Sequence, residues 1–202
     1  MAEIIRDESM TRVFSAGYPK QIMLFNGELV TVRPMEETDE KALLDFFRRI
    51  PEEDRYYLKD DVTSVDVISH WAKNINFFRT YPLLAIIDGK VVADATLHQK
   101  RPGGRRHIGE IRISVDPEYR NQGLGTKIVR ELIEVAYLRR LEIVTIELVE
   151  GMEAKAIGMV ERLGFHRSAV LPNHVKDQQG KSQNLVILEL SVDRWYKDWY
   201  DF

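Results

Sequence analysis

The sequence predicts a single α/β domain of the α+β type, with a mixed, partly antiparallel sheet of about seven strands and helices on both faces. Three observations carry this. Asn26-Gly27 and Asp88-Gly89 each separate two short aliphatic runs, the pattern of a tight hairpin, so the first half of the sheet is antiparallel. The passage Ile108–Val149 reads strand, helix, strand, which demands a parallel crossover. A length of 202 residues is room for one ordinary domain, and 44% apolar against 30% charged residues is the balance of a packed core under a solvated surface.

Ile22–Phe25 and Glu28–Arg33 flank Asn26-Gly27, for which a type I′ turn is expected, and Pro34 ends the second strand. A helix follows from about Thr38 to Ile50, because Leu43, Phe46, Phe47 and Ile50 recur at helical spacing. Pro51 closes it, and Pro51–Asp61 reads as a loop or ragged turn. A second helix starts near Ser64, with Thr63 and Asp66 as a capping box and a stripe of Ile68, Trp71, Ala72, Ile75 and Phe78. Strands are expected at Pro82–Ile87, Val91–His98 and Ile108–Val115, with the Arg101–Arg106 loop between the last two. The helix Leu124–Leu138, the strand Ile143–Val149 and a helix Met152–Leu163 stopped by Gly164 come next. Phe165–Val170 and Leu185–Leu190 are the last strands. Residues 1–27 form an N-terminal extension with the first hairpin strand, 28–190 the main domain, and 191–202 an aromatic tail. The tail is expected to pack on its own domain, with a homodimer contact as the alternative.

The chain has no cysteine, which excludes disulfides, thiolate metal sites and a cysteine nucleophile. No apolar run approaches the ~20 residues of a membrane span, and the polar start MAEIIRDESM is not expected to act as a leader, so a cytoplasmic protein without a membrane partner is expected. A net charge of −3 argues against a nucleic-acid partner.

The chemistry concentrates in Ile113–Thr126, which is strand, turn, glycine-rich loop and helix. Gly123 and Gly125 let backbone approach a ligand closely, and the helix start offers unpaired amides and a positive dipole end. That is an anion site suited to phosphate or pyrophosphate. It lacks the Gly-Lys-Ser/Thr of a P-loop, and Ile128 stands where a dinucleotide loop needs its third glycine.

Arg120-x-x-Gly123-x-Gly125 after a strand ending Val115-Asp116-Pro117 resembles the GNAT family of acyl-CoA-dependent N-acyltransferases. Glu161-Arg-Leu-Gly-Phe165 resembles the family's helix-ending segment, and Val32-Arg33-Pro34 its first strand and helix entry. Tyr18-Pro19, Arg33-Pro34 and Arg55-Tyr-Tyr57 are similar to the acetyltransferase domain of bacterial protein-lysine acetyltransferases. The resemblance implies acetyl-CoA as cosubstrate, no metal, and direct attack of a primary amine, whether protein lysine or small molecule, on the thioester. Main-chain groups of Ile113 and Val115 would hold the thioester and pantetheine. Arg120, Asn121, Gln122, Gly123, Leu124, Gly125 and Thr126 would form the pyrophosphate loop. A catalytically silent acyl-CoA-binding module is the alternative.

Glu110 is the leading candidate for the base, since strand alternation puts it with Arg112 and Ser114 on one face, near the thioester end. Its position also resembles that of the glutamate base in the lysine-acetylating branch. Glu147 on the neighbouring strand is the rival. The family's thiolate-protonating tyrosine is matched here by Val160, and a CoA-holding asparagine by Glu153. His98 is expected to be structural, with a proton relay as the alternative. The run Lys100, Arg101, Arg105, Arg106 and His107 is expected to be solvated, with binding of an acidic group as the alternative.

Overall fold

The computed structural model describes residues 17–100 and 102–200. Eight strands form one sheet: β1 (Lys20–Met23), β2 (Leu29–Pro34), β3 (Thr80–Ile87), β4 (Lys90–Gln99), β5 (Ile108–Val115), β6 (Ile143–Val149), β7 (His166–Lys176) and β8 (Ser182–Ser191). Their order is β1-β2-β3-β4-β5-β6-β8-β7. The expected first hairpin strand is present at Lys20–Met23, paired along its whole length with Leu29–Val32, so the sheet has eight strands where about seven were expected. Only β5 and β6 run parallel, as the crossover requires. The helices are α1 (Glu40–Arg49), α2 (Glu52–Arg55), α3 (Val65–Lys73), α4 (Leu124–Leu138), α5 (Ala154–Arg162) and α6 (Val192–Tyr200).

Strand alternation divides the core in two. Ala93, Ala95 and Leu97 of β4 and Ile111 of β5 meet Leu124, Ile128 and Leu132 of α4, together with α5 and α6. On the other face Leu84 and Val91 meet Leu43, Phe46 and Phe47 of α1 and Ile68 and Ala72 of α3. The expected stripe of α1 is the buried one.

The two hairpins differ. Asp88 (φ +48°) and Gly89 (φ +77°) are both left-handed, as a two-residue type I′ turn requires. At the first hairpin only Gly27 is left-handed, at φ +86°. The Leu24 N–H donates to the Glu28 carbonyl (2.8 Å) and the Gly27 N–H to that of Leu24 (3.0 Å), which makes a three-residue loop with a glycine bulge rather than the expected turn. The expected cap of α3 is also corrected. Ser64 Oγ accepts from the Val67 N–H, while the Thr63 hydroxyl donates to Asp61 instead of reaching forward. The helix ends at Lys73, so Ile75 packs from the following turn and Phe78 is exposed.

The aromatic tail is α6 as far as residue 200; residues 201–202 lie outside the described residues, as does Arg101 of the basic loop. Trp195 is buried in the main core and Tyr196 stacks on Tyr137 of α4 at 3.7 Å, so the tail packs on its own domain. No helix among the described residues is long and apolar enough to cross a membrane.

Gly109 sits where β5 begins its short pairing with β6. A Cβ there would lie 2.7 Å from Leu97 Cδ1 and 2.8 Å from Leu141 Cδ1, both in the packed core. Gly109→Ala is expected to lower the unfolding free energy by about 1–3 kcal/mol through overpacking. Urea denaturation checks this; an unchanged midpoint would show that the two leucines rearrange freely.

Candidate active site

A slot opens in the middle of the sheet. β5 pairs with β4 from Gly109 to Val115, and β6 pairs with β8 along all seven of its residues. Between β5 and β6 the ladder holds only Ile108–Ile143, Gly109–Val144 and Glu110–Thr145. Beyond those pairs the strands part, so the β5 edge from Ile111 to Val115 has no strand beside it. Backbone N–H and C=O groups there are available to an extended ligand.

The loop at the open end is held rigidly. The Asp116 N–H donates to the Val92 carbonyl (2.9 Å), and the buried Asp116 carboxylate accepts from Arg49 Nε of α1 (2.9 Å). Arg120 Nε donates to the Val115 carbonyl (2.9 Å), and its Nη2 donates to Asp54 (2.8 Å). Arg120 therefore closes the loop onto β5. Asn121 (φ +60°) and Gly123 (φ +82°) are left-handed, and α4 begins at Leu124. The Lys127 N–H donates to the Gly123 carbonyl (3.1 Å), leaving the amides of Leu124, Gly125 and Thr126 outside the helical ladder. The two glycines do different work. A Cβ on Gly123 would lie 2.8 Å from the exposed Phe25 ring, whose own N–H donates to the Gln122 carbonyl (3.1 Å). A Cβ on Gly125 would instead point between Val115, Ile113 and Met159 at 3.8–3.9 Å, into the mouth of the slot.

Both candidate bases stand at the narrow end of the slot and share one cation. Lys59 Nζ, from the segment after α2, donates to Glu110 (2.6 Å) and to Glu147 (2.9 Å), and Arg112 Nε donates to Glu110 (2.8 Å). Burial pushes the Glu110 carboxyl up, but the bonds from Arg112 and Lys59 outweigh it and hold it at about 2. Burial lowers Lys59, but its bonds to Glu110 and Glu147 outweigh that and raise it. Lys59 was not legible in the sequence, where a lysine in a polar loop carries no signal. His98 is tied through both ring nitrogens, Nδ1 to Thr80 Oγ1 (3.2 Å) and Nε2 to Thr96 Oγ1 (2.8 Å), and burial brings it down to about 4.

Residues 40–165 match the profile of the Acetyltransferase (GNAT) family. The chain belongs to that family. It is 32% identical over 116 residues to an L-methionine sulfoximine/L-methionine sulfone acetyltransferase of Pseudomonas paraeruginosa, covering 56% of this chain and 66% of the relative. It is 31% identical over 80 residues to the [ribosomal protein bS18]-alanine N-acetyltransferase of Escherichia coli, covering 40% of this chain and 53% of the relative. The chain thus spans from about half to just under two thirds of these relatives' length. Among solved structures, the GNAT domain of S. lividans PAT superposes with a TM-score of 0.71 at 18% identity, covering 85% of this chain and 96% of that one. The yncA structure from Salmonella typhimurium, solved with its cofactor acetyl-CoA, gives 0.69 at 20% identity, covering 81% and 94%. At such identities these two likenesses show the GNAT fold.

The structure corrects the placement of the family's tyrosine on α5. Val160 is 1% exposed and belongs to the main core. The residue that reaches the slot is Met159, five positions before Gly164, beside Val115 and Ile113. Glu153 precedes α5 and accepts the Val149 N–H at 2.6 Å, joining the end of β6 to the helix. Burial raises its carboxyl.

Val160→Tyr is expected to cost about 1–3 kcal/mol by overpacking, whereas Met159→Tyr, at the edge of the slot, is expected to cost less. Thermal melts of the two variants compare them, and equal losses would return position 160 to the slot. Acid stability tests the cluster. Glu110 has a folded value of about 2 and an ordinary one of about 4.3. It therefore stabilises the fold above pH ~4.3, and that contribution disappears as pH falls toward 2. Between pH 5 and 2.5, wild type is expected to lose unfolding free energy more steeply than Glu110→Gln, as read by urea titrations at each pH. Parallel slopes would mean that the ion pairs contribute nothing in solution.

Proposed function

We propose that this protein is an N-acetyltransferase that moves an acetyl group from acetyl-CoA to a primary amine by direct attack. The observation that carries it is the slot, a strand edge left open beside a glycine-rich helix start. A slender pantetheine arm fits such a gap, and free amides at its mouth suit a pyrophosphate. Acetyl-CoA supplies the acetyl group as an activated thioester. Main-chain groups of Ile113 and Val115 would hold the arm, and the amides of Gln122 to Thr126 the pyrophosphate. Arg120 and Asn121 shape that loop.

Glu110 and Glu147 already hold one ammonium, that of Lys59, and the acceptor's ammonium can replace it there in passing. A carboxylate held near 2 is a weak proton acceptor at neutral pH, so the pair steers the incoming cation more readily than it removes its proton. The silent-module alternative draws on Met159, which has no proton to give the departing thiolate. A thiolate is a good leaving group, and turnover distinguishes the two.

Acetyl-CoA is expected to raise the melting temperature, because it binds the folded state alone, with NADH and ATP giving much smaller shifts. A Cβ on Gly125 makes only ordinary contacts, so Gly125→Val is expected to fold, to fill the slot mouth with its methyls and to abolish the shift. A full shift in folded Gly125→Val protein would remove the binding assignment. Thiol release with a panel of amines and lysine peptides then tests catalysis.

A further inference from the structure

Beside the slot, on the α1/α3 face of the sheet, lies a cavity of about 190 Å³. Its walls are mostly apolar, with Met35, Leu43, Phe47, Leu58 and Trp71 among them. Its floor is polar and comes from alternate residues of two strands, Asp94, Thr96 and His98 of β4 and Arg112 and Ser114 of β5. Asp94 is the unexpected member. It is half-buried on the cavity floor, and no hydrogen bond or ion pair satisfies its carboxyl among the described residues. An ionised carboxylate without a partner in an apolar enclosure is costly. A merely structural position would be filled better by an apolar side chain.

Asp94 also has the right address. Its cross-strand partner is Ser114, between Ile113 and Val115 on the open edge of β5. Adjacent strands are about 4.8 Å apart, so Asp94 is one strand spacing from β5 itself and about two from a thioester lying along its open edge, a span that an amine bound in the cavity would bridge. We propose that Asp94 takes the proton from the amino group of a small primary amine whose apolar body fills this cavity. The proposal rests on the acetyltransferase reading above and adds to it the acceptor class and a further catalytic residue.

The step balances. One N–H bond of the ammonium breaks as an O–H bond forms on Asp94, and the freed nitrogen lone pair bonds the acetyl carbon. The C–S bond breaks, the thiolate takes a second proton from the nitrogen, and Asp94 returns its own to solvent. Burial pushes the Asp94 carboxyl up to about 7, where a proton acceptor for neutral pH is best placed. The charged or titratable groups facing it are His98 on its own strand, Arg112 on β5, and Lys59 and Asp60 at the rim. α1, α3 and β3 present only apolar groups and Thr80.

The test uses the full chain, acetyl-CoA, and isopentylamine and phenethylamine as acceptors, with a lysine peptide in parallel. Asp94→Asn is expected to lower kcat/KM with the amines about 10²-fold or more, while the melting shift produced by acetyl-CoA is unchanged. Wild-type kcat/KM, counted per ammonium form, is expected to fall as pH drops below about 7, and the residual activity of Asp94→Asn to lack that limb. Stability provides a second readout. A raised carboxyl contributes stability fully below its unfolded value, and loses it as pH rises through 7. Asp94→Asn is therefore expected to melt higher than wild type at pH 8, which also shows that it folds. Unchanged turnover and an unchanged acid limb in Asp94→Asn would overturn the assignment, and a lysine peptide tenfold better than both amines would overturn the acceptor class. Acetyl-CoA binding with no turnover on any acceptor would defeat the acetyltransferase reading, and the role of Asp94 with it.

Discussion

Between β5 and β6 the backbone ladder runs for three residue pairs and then stops, although each strand is paired along its length on its other side. The divergence is fixed from outside the slot. Asp116 pins the far end of β5 to β4 through its N–H and to α1 through Arg49, while β8 carries β6 away along seven register pairs. Unpaired backbone groups in a sheet interior are costly, and an extended ligand laid along β5 would satisfy them. The glycine loop, the helix start and the acidic cluster are all arranged around that gap.

The segment from Pro51 to Val62 lies across the slot and touches three sides of it. Asp54 meets Arg120 of the loop, the Tyr56 hydroxyl donates to the Asp177 carbonyl beyond β7, and Lys59 joins Glu110 to Glu147. One short stretch therefore contacts both the glycine loop and the acidic cluster. Its ion pairs are partly exposed, and such pairs contribute little to stability.

The acid–base groups show how strongly packing reassigns chemistry. Three carboxylates, Asp94, Glu110 and Glu147, lie on the neighbouring strands β4, β5 and β6. Glu110 is brought down to about 2 by two cations, while burial pushes Asp94 up to about 7. His98, with an ordinary value near neutrality, is brought down to about 4 by burial. Strand alternation alone put Glu110, Arg112 and Ser114 on one face, but it could not say which carboxylate would meet a lysine from a distant loop.

Much was legible in the sequence by itself. Leu124–Leu138 and Ile143–Val149 have the bounds expected, since local periodicity sets a helix and a strand wherever one face is buried. The Asp88-Gly89 turn, the parallel crossover, the helix start after Gly123 and the family all follow from short-range patterns. Tertiary structure decided the rest. Asn26-Gly27 lies in a bulged three-residue loop whose Phe25 meets Gly123 and Gln122 of the glycine loop, a contact between segments about a hundred residues apart. The residue of α5 that faces the slot is Met159 and not Val160, because helix rotation is set by the core it packs on and one residue is about 100°. Lys59 between two glutamates and Asp94 without a partner depend on which surfaces meet across dozens of residues. A sequence records hydrophobic period and turn chemistry, which act locally, whereas ion pairing and desolvation depend on distances that only the folded chain fixes.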